Sequence, residues 1–200
     1  MGTFDIVILV LGIFIVWYFI NIYNQLILYQ SRVKNAFAQI EVQLKRRYDL
    51  IPNLVETAKA YLKHEKETLE AVIQARNEAM SGLQRAGVDP TNAAAMQQLG
   101  SAESGLTGAL GKLSMVMEAY PDLKADATMM QLSSELTHTE NKVSFARQAF
   151  NDSVLLFNTY MHSFPQQIIA SRFGFTKDAA FLEMEDHEAI QAAPTVSFSS

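Results

Sequence analysis

Cysteine is missing from all 200 residues. That excludes disulfides, thiolate metal sites, cysteine nucleophiles and palmitoyl or thioether-linked anchors. Proline and glycine are sparse, at 5 and 9 residues, so the chain is neither collagen-like nor broadly disordered. Charged residues make up only 18% and the net charge is −5. General nucleic-acid binding needs a basic footprint, so no nucleic-acid partner is expected. Period-two alternation of any length is lacking, so no sheet is expected.

Catalytic patterns are equally scarce. His64-Glu65 leads to no second histidine, which leaves no zinc helix of the HExxH kind. His138 and His162 lie 24 positions apart, too far to share a metal on one helix. Glu135 and His138 have the spacing of a carboxylate-bridged site, but a matching second pair is lacking. No glycine-rich loop follows a strand and no serine sits in a nucleophile elbow. The expectation is therefore no cofactor, no metal and no enzyme.

What the chain has is one concentrated apolar load. Ile6 to Ile20 is uninterrupted, and Phe4, Ile22 and Tyr23 extend it. Twenty residues at about 1.5 Å each span roughly 30 Å, the thickness of a bilayer's hydrocarbon. Trp17, Tyr18 and Tyr23 crowd one end, as aromatic residues do at a membrane interface. A cleaved signal peptide would need basic residues before the run and a small-x-small site after it, and the sequence has neither. Gly2 lacks the context for myristoylation, because Ile6 stands where Ser or Thr is needed. The first Lys and Arg follow the run, at Arg32, Lys34, Lys45, Arg46 and Arg47. The positive-inside rule then puts the N-terminus outside and the remainder in the cytoplasm.

The remainder reads as long helices. Leu26, Tyr29, Val33, Phe37, Ile40, Leu44, Tyr48 and Ile51 recur at steps of 3 and 4. Nothing interrupts the helix between Phe4 and Tyr48. Pro52 then predicts a turn, with Asp49 capping a new helix; a kinked but continuous helix is the alternative. A turn at Pro52 would bring the last helix back to the membrane, with Phe164, Ile168, Ile169, Phe173 and Phe175 at its surface. A continuous helix would leave them far from it. A second helix is expected from Ile51 to about Leu83 and a third from about Ala93 to Ala119, capped by Thr91 or Asn92. A fourth runs from about Asp126 to Phe164. In the third helix Glu103 stands where the apolar step calls for a hydrophobic residue. Its Gly105, Gly108 and Gly111 each cost about 1 kcal/mol against alanine, which close helix packing would offset.

The expected fold is all-α: an antiparallel bundle of long helices preceded by a transmembrane helix. Its parts are an anchor (1–23), a bundle (24–164) and an apolar then acidic tail (165–200). The charge is uneven. Basic residues exceed acidic ones by 10 to 7 between Arg32 and Arg85, and fall short by 6 to 13 from Ala86 onward. Lys45, Arg46, Arg47, Tyr48 and Asp49, with Phe173, Gly174 and Phe175, are the candidate contacts for anionic lipid or a partner.

The stretch Val42-Gln-Leu-Lys-Arg-Arg-Tyr-Asp-Leu-Ile-Pro-Asn-Leu-Val-Glu56 resembles the LemA family. So do Tyr23-Asn24, His64-Glu65, Ala75-Arg76, Tyr120-Pro-Asp-Leu-Lys124, Thr139-Glu-Asn-Lys142, Ala146-Arg147 and Phe150-Asn151. Asn158, Phe164-Pro165, Phe173-Gly-Phe175 and the ending at Pro194, Val196 and Phe198 fit as well. Phe37-Ala38 departs from the family's usual Ala-Trp-Ser, and Phe150 from its frequent Tyr. The resemblance implies a bacterial single-pass protein of the inner membrane with a cytoplasmic bundle and no established activity. It also implies genes that often neighbour membrane proteases. Two functions follow as expectations. One is a homo-oligomeric structural protein that organises membrane; the other is an adaptor for a membrane protease or other membrane partner.

Overall fold

The structure, a computed structural model, describes residues 2–184. Among them every regular element is a helix. The first, α1 (Thr3–Lys59), runs 57 residues without a break, roughly 85 Å at the usual rise. Then come α2 (Lys66–Val88), α3 (Ala93–Met117), the single turn α4 (Pro121–Lys124), α5 (Ala127–His162) and the short α6 (Gln166–Arg172). Asn92 caps α3 by accepting from Ala95 N–H at 3.1 Å, and Asp126 caps α5 by accepting from Met129 N–H at 2.9 Å.

Residues 3–21 of α1 have every side chain exposed, and burial starts at Ile22. An exposed apolar surface of that length has no partner within the protein, and lipid is the solvent that suits it. It is the one helix among the described residues long and apolar enough to cross a membrane. From Ile22 onward the same helix buries Leu26, Val33, Phe37, Ile40, Leu44, Tyr48 and Ile51, the stripe that the 3-and-4 spacing marks out.

The chain does not turn at Pro52. α1 passes through it and ends at Lys59, and Ala60–Glu65 make the reversal with Leu62 buried under them. Proline has no N–H for the carbonyl of Tyr48, four residues earlier. Arg76 of α2 supplies the missing donor: its Nε bonds Tyr48 O at 2.8 Å. Burial of Ile51, Leu54, Val55 and Ala58 around the proline holds the helix together. Arg76→Met should orphan that carbonyl and cost about 1–3 kcal/mol. In a Pro52→Ala background the restored amide takes the carbonyl back, and the cost should shrink. Urea denaturation of the four proteins in this cycle measures the coupling.

The reversal eight residues later than expected still returns the last helix to the membrane. α5 runs antiparallel to α1. Tyr61 Oη meets Asp126 Oδ2 at 3.1 Å at the far end. Phe37 packs on Phe150 at 5.8 Å and Tyr29 on Tyr160 at 4.9 Å, ring centre to ring centre. Beyond α5, Phe173 reaches Tyr23 at 5.1 Å. A continuous helix at Pro52 and a membrane-level end for α5 therefore coexist. α2 folds back along the outer half of α1 and pairs with α3, where an added Cβ on Gly82 would lie 3.3 Å from Leu99 Cα.

The boundary expected at 164/165 is not a structural one. Ile169, Ala170, Ala179 and Leu182 are buried, so residues 166–184 belong to the bundle. After α6 the chain runs as an extended strap back along α5. The acidic residues Glu185, Asp186 and Glu188, and the ending at Pro194, Val196 and Phe198, lie outside the described residues.

Candidate functional site

The sequence singles out one basic-aromatic segment, and the structure splits it. Lys45, Arg46 and Asp49 are exposed on the back of α1, with Lys45 paired to Glu41 at 2.6 Å. Lying 22 residues or more past Tyr23 on an unbroken helix, they stand about 33 Å beyond the membrane stretch, so a partner and not lipid is within their reach. Arg47 and Tyr48 point the other way and are buried, so these two are not a contact surface. They face Glu103 of α3, whose side chain is 0% exposed. Arg47 Nη1 donates to Glu103 Oε2 at 3.1 Å and Arg47 Nη2 to Thr107 Oγ1 at 3.2 Å. Tyr48 Oη donates to the other carboxylate oxygen, Glu103 Oε1. With Arg76 on the Tyr48 carbonyl, one polar chain joins α1, α2 and α3.

The electrostatics follow from burial. Desolvation pushes the Glu103 carboxyl above its ordinary range, against the pull of the Tyr48 and Arg47 bonds. Desolvation and the neighbouring carboxylate also push the Tyr48 phenol up, so it stays protonated and donates. Both carboxylate oxygens are engaged inside the bundle. The cluster ties α1 to α3 through Glu103 and Thr107, and Arg76 ties α2 to the same turn of α1. The sequence signal was there: Glu103 interrupts an apolar face, and its partner is the Arg47 beside Tyr48 on the facing stripe.

The second feature lies at the foot of the bundle. Phe173 and Phe175 flank Tyr23, at 5.1 and 6.3 Å between ring centres. Phe175 is half-buried, with its ring also 6.2 Å from Phe157. Phe173 stays exposed, together with Ile168 and with Phe164 at 83%. Gly174, at φ +89°, turns the chain between the two aromatics in a region that suits glycine. Ile169, by contrast, is buried. Three apolar side chains therefore surround the level at which α1 leaves its exposed apolar stretch. Trp17 and Tyr18 lie within that stretch, the Trp17 ring 5.9 Å from Phe14.

The third feature is α3. Gly105, Gly108 and Gly111 are exposed, and a Cβ built on each meets nothing within 4 Å. α2 faces Gly105 and Gly108 only across a groove, and Gly111 lines another with α1 and α5, so the close packing expected there does not occur within one copy. The close approaches are at Gly82 and at Gly100, where a Cβ would collide with the Glu183 carbonyl oxygen of the strap. Asn151 and Asn158 of α5 hold that strap, which the helical spacing alone does not reveal. Among the described residues no three His, Asp or Glu side chains gather where they would hold a metal. His138 is exposed, away from the core.

Known proteins resemble the chain along most of its length. Protein LemA of Metamycoplasma hominis is 28% identical over 180 residues, 89% of this chain and 76% of that protein. Magnetosome protein MamQ of Magnetospirillum gryphiswaldense is 23% identical over 176 residues. That match covers 80% of this chain and 65% of the magnetosome protein, just under two thirds. A MamQ of Paramagnetospirillum magneticum is 22% identical over the same share. The model of the LemA family matches residues 36–198, from the α1 stripe to the end of the strap and beyond, and the chain belongs to that family.

Proposed function

We propose that this membrane protein is a non-enzymatic scaffold of a bacterial inner membrane, with its bundle in the cytoplasm, that self-assembles into a membrane-organising structure. The observation that carries this reading is the open glycine face of α3. Three helical glycines each cost about 1 kcal/mol. Within one copy no atom comes within 4 Å of a Cβ built on any of them, and the close approach of a second copy would offset their cost. A bundle mounted on an unbroken helix and resting on an apolar foot also suits a scaffold, because it fixes the bundle's height and direction above the bilayer. The magnetosome protein named among the relatives fits a role at a membrane.

Light scattering on the full chain in mild detergent tests the reading. A particle of many chains is expected. Gly105→Leu with Gly108→Leu should reduce it to one or two chains. The same substitutions meet open space and improve helix propensity, so melting temperature should hold or rise. Single chains in the unaltered protein, or particles indifferent to the leucines, would refute the scaffold.

An adaptor for a membrane protease or other membrane partner is the second reading, and one feature favours it. A groove of about 820 Å³ opens between the end of α1 and α2, far from the membrane. Its lining includes Val55, Leu69 and Ile73 together with Glu56, Lys59 and Lys63. Apolar and charged residues together are what a partner's amphipathic helix would need.

A further inference from the structure

The strap after α6 is held in an unusual way. Asn158 donates Nδ2 to Ala179 O at 2.9 Å and accepts at Oδ1 from Ala179 N–H at 3.0 Å. Asn151 does the same to Leu182, at 3.3 Å to the carbonyl and 2.9 Å from the amide. Each side-chain amide thus pairs with both backbone groups of one residue, as a neighbouring strand would. The spacing matches. Seven residues of α5 rise about 10 Å, and three extended residues cover about the same. Bonds of this kind read a backbone and not a sequence. Side-chain selection falls mainly on buried Ala179 and Leu182, with Ala180 and Met184 partly buried beside them. Gly100 lets the Glu183 carbonyl come in against α3, where any Cβ would exclude it.

This is a site for an extended peptide, filled here by the chain's own residues. Its hold on them consists of four neutral hydrogen bonds, buried Ala179 and Leu182, partly buried Phe175, Ala180 and Met184, and an exposed His162–Asp178 pair at 2.6 Å. We infer that the α5 groove between Asn151 and Asn158 also receives the strap of a second copy, so that neighbouring copies exchange straps in the assembled particle. The inference rests on the self-assembly reading. The occupant follows from three facts. A second copy carries the one segment already known to fit, and exchange replaces every contact like for like. Gly174, at φ +89°, is a turn at which the strap can leave in a new direction. Both copies are anchored by α1 in one bilayer, so their grooves stand at the same height and their straps arrive at high effective concentration.

Crosslinking in two-tag co-expression decides it. Phe181 is exposed on the strap and is replaced by photoreactive benzoylphenylalanine in a copy carrying one tag. The second copy, unaltered, carries another tag. The expected result is a product bearing both tags, with the attachment mapped to α5 or α3 of the second copy. Asn151→Asp with Asn158→Asp in the receiving copy keeps the size and the acceptor but removes both donors. It should cut that product roughly tenfold or more. Attachments confined to the same chain would overturn the exchange. So would a two-tag product indifferent to the aspartates. Light scattering on the same sample separates the two ideas. Large particles with same-chain attachments sink the exchange and leave self-assembly standing; single chains sink both.

Discussion

Glu103→Ala should cost about 3–5 kcal/mol of stability, the range for breaking a buried ion pair by removing one partner. Most of that loss comes from what is left behind. The Arg47 guanidinium stays in the bundle with Thr107 alone, and the Tyr48 hydroxyl loses its acceptor. Against a total stability of about 5–15 kcal/mol for a domain, this is the largest single-residue effect expected of the protein. Replacing both members, Arg47→Met with Glu103→Leu, removes the stranded charge and should recover most of the loss. Chemical denaturation of the parent and the two variants in detergent reads the difference. Equal destabilisation by the single and double changes would show that the pair itself, and not the orphaned charge, sets the cost.

The same carboxylate gives a pH dependence with a definite sign. Its folded pKa is raised above the unfolded one, so the folded state holds the proton more tightly. The stability it contributes is therefore fully present below the ordinary carboxylate range and is lost as pH rises through the raised folded value. Glu103→Gln removes that titration. The stability of the parent relative to this variant should fall with rising pH across the window and stay flat above it. Both proteins share every other titrating group, and below the range in which Tyr48 ionises the difference reports Glu103.

Residues 24 to 48 were legible because their burial is one-sided and local: Leu26, Val33, Phe37, Ile40 and Leu44 mark the face without any knowledge of what covers it. The cap at Asn92, one of the two that the sequence offers, was legible for the same reason, since a cap needs only its own first turn. Pro52 was not. Its local cost argues for a turn, and the group that offsets it, Arg76, is 24 positions away on another helix. Arg47 was misplaced on the surface because a run of three basic residues looks solvated until its buried acid is found. Glu103 announced itself as an error in an apolar pattern, but only the folded chain shows which cation it answers. The strap carries no period at all. An extended segment fixed by Asn151 and Asn158 leaves two asparagines seven apart as its entire trace in the sequence.

Phe164→Ser with Ile168→Ser and Phe173→Ser should unseat the foot of the bundle from the bilayer. The three side chains are exposed beside the end of the membrane-crossing stretch, on a segment anchored by buried Ile169 and Ala170. If each gives its exposed apolar area to the acyl boundary, the trio contributes roughly 3–6 kcal/mol to seating. α1 continues unbroken from the membrane into the bundle, and α6 packs against both α1 and α5. The foot is therefore not a loose paddle. Its depth sets the depth of the whole rod. The absence of native cysteine allows a single introduced one, Ser171→Cys, to carry an environment-sensitive dye without background. In vesicles the dye should be quenched by lipids with a nitroxide near the headgroup, and the triple-serine protein should lose most of that quenching. The three changed residues are exposed, so circular dichroism should stay unchanged. Quenching that survived the serines would mean that α1 alone sets the depth. The exposed trio would then be free to face another protein at the membrane surface, which is the geometry the adaptor reading needs.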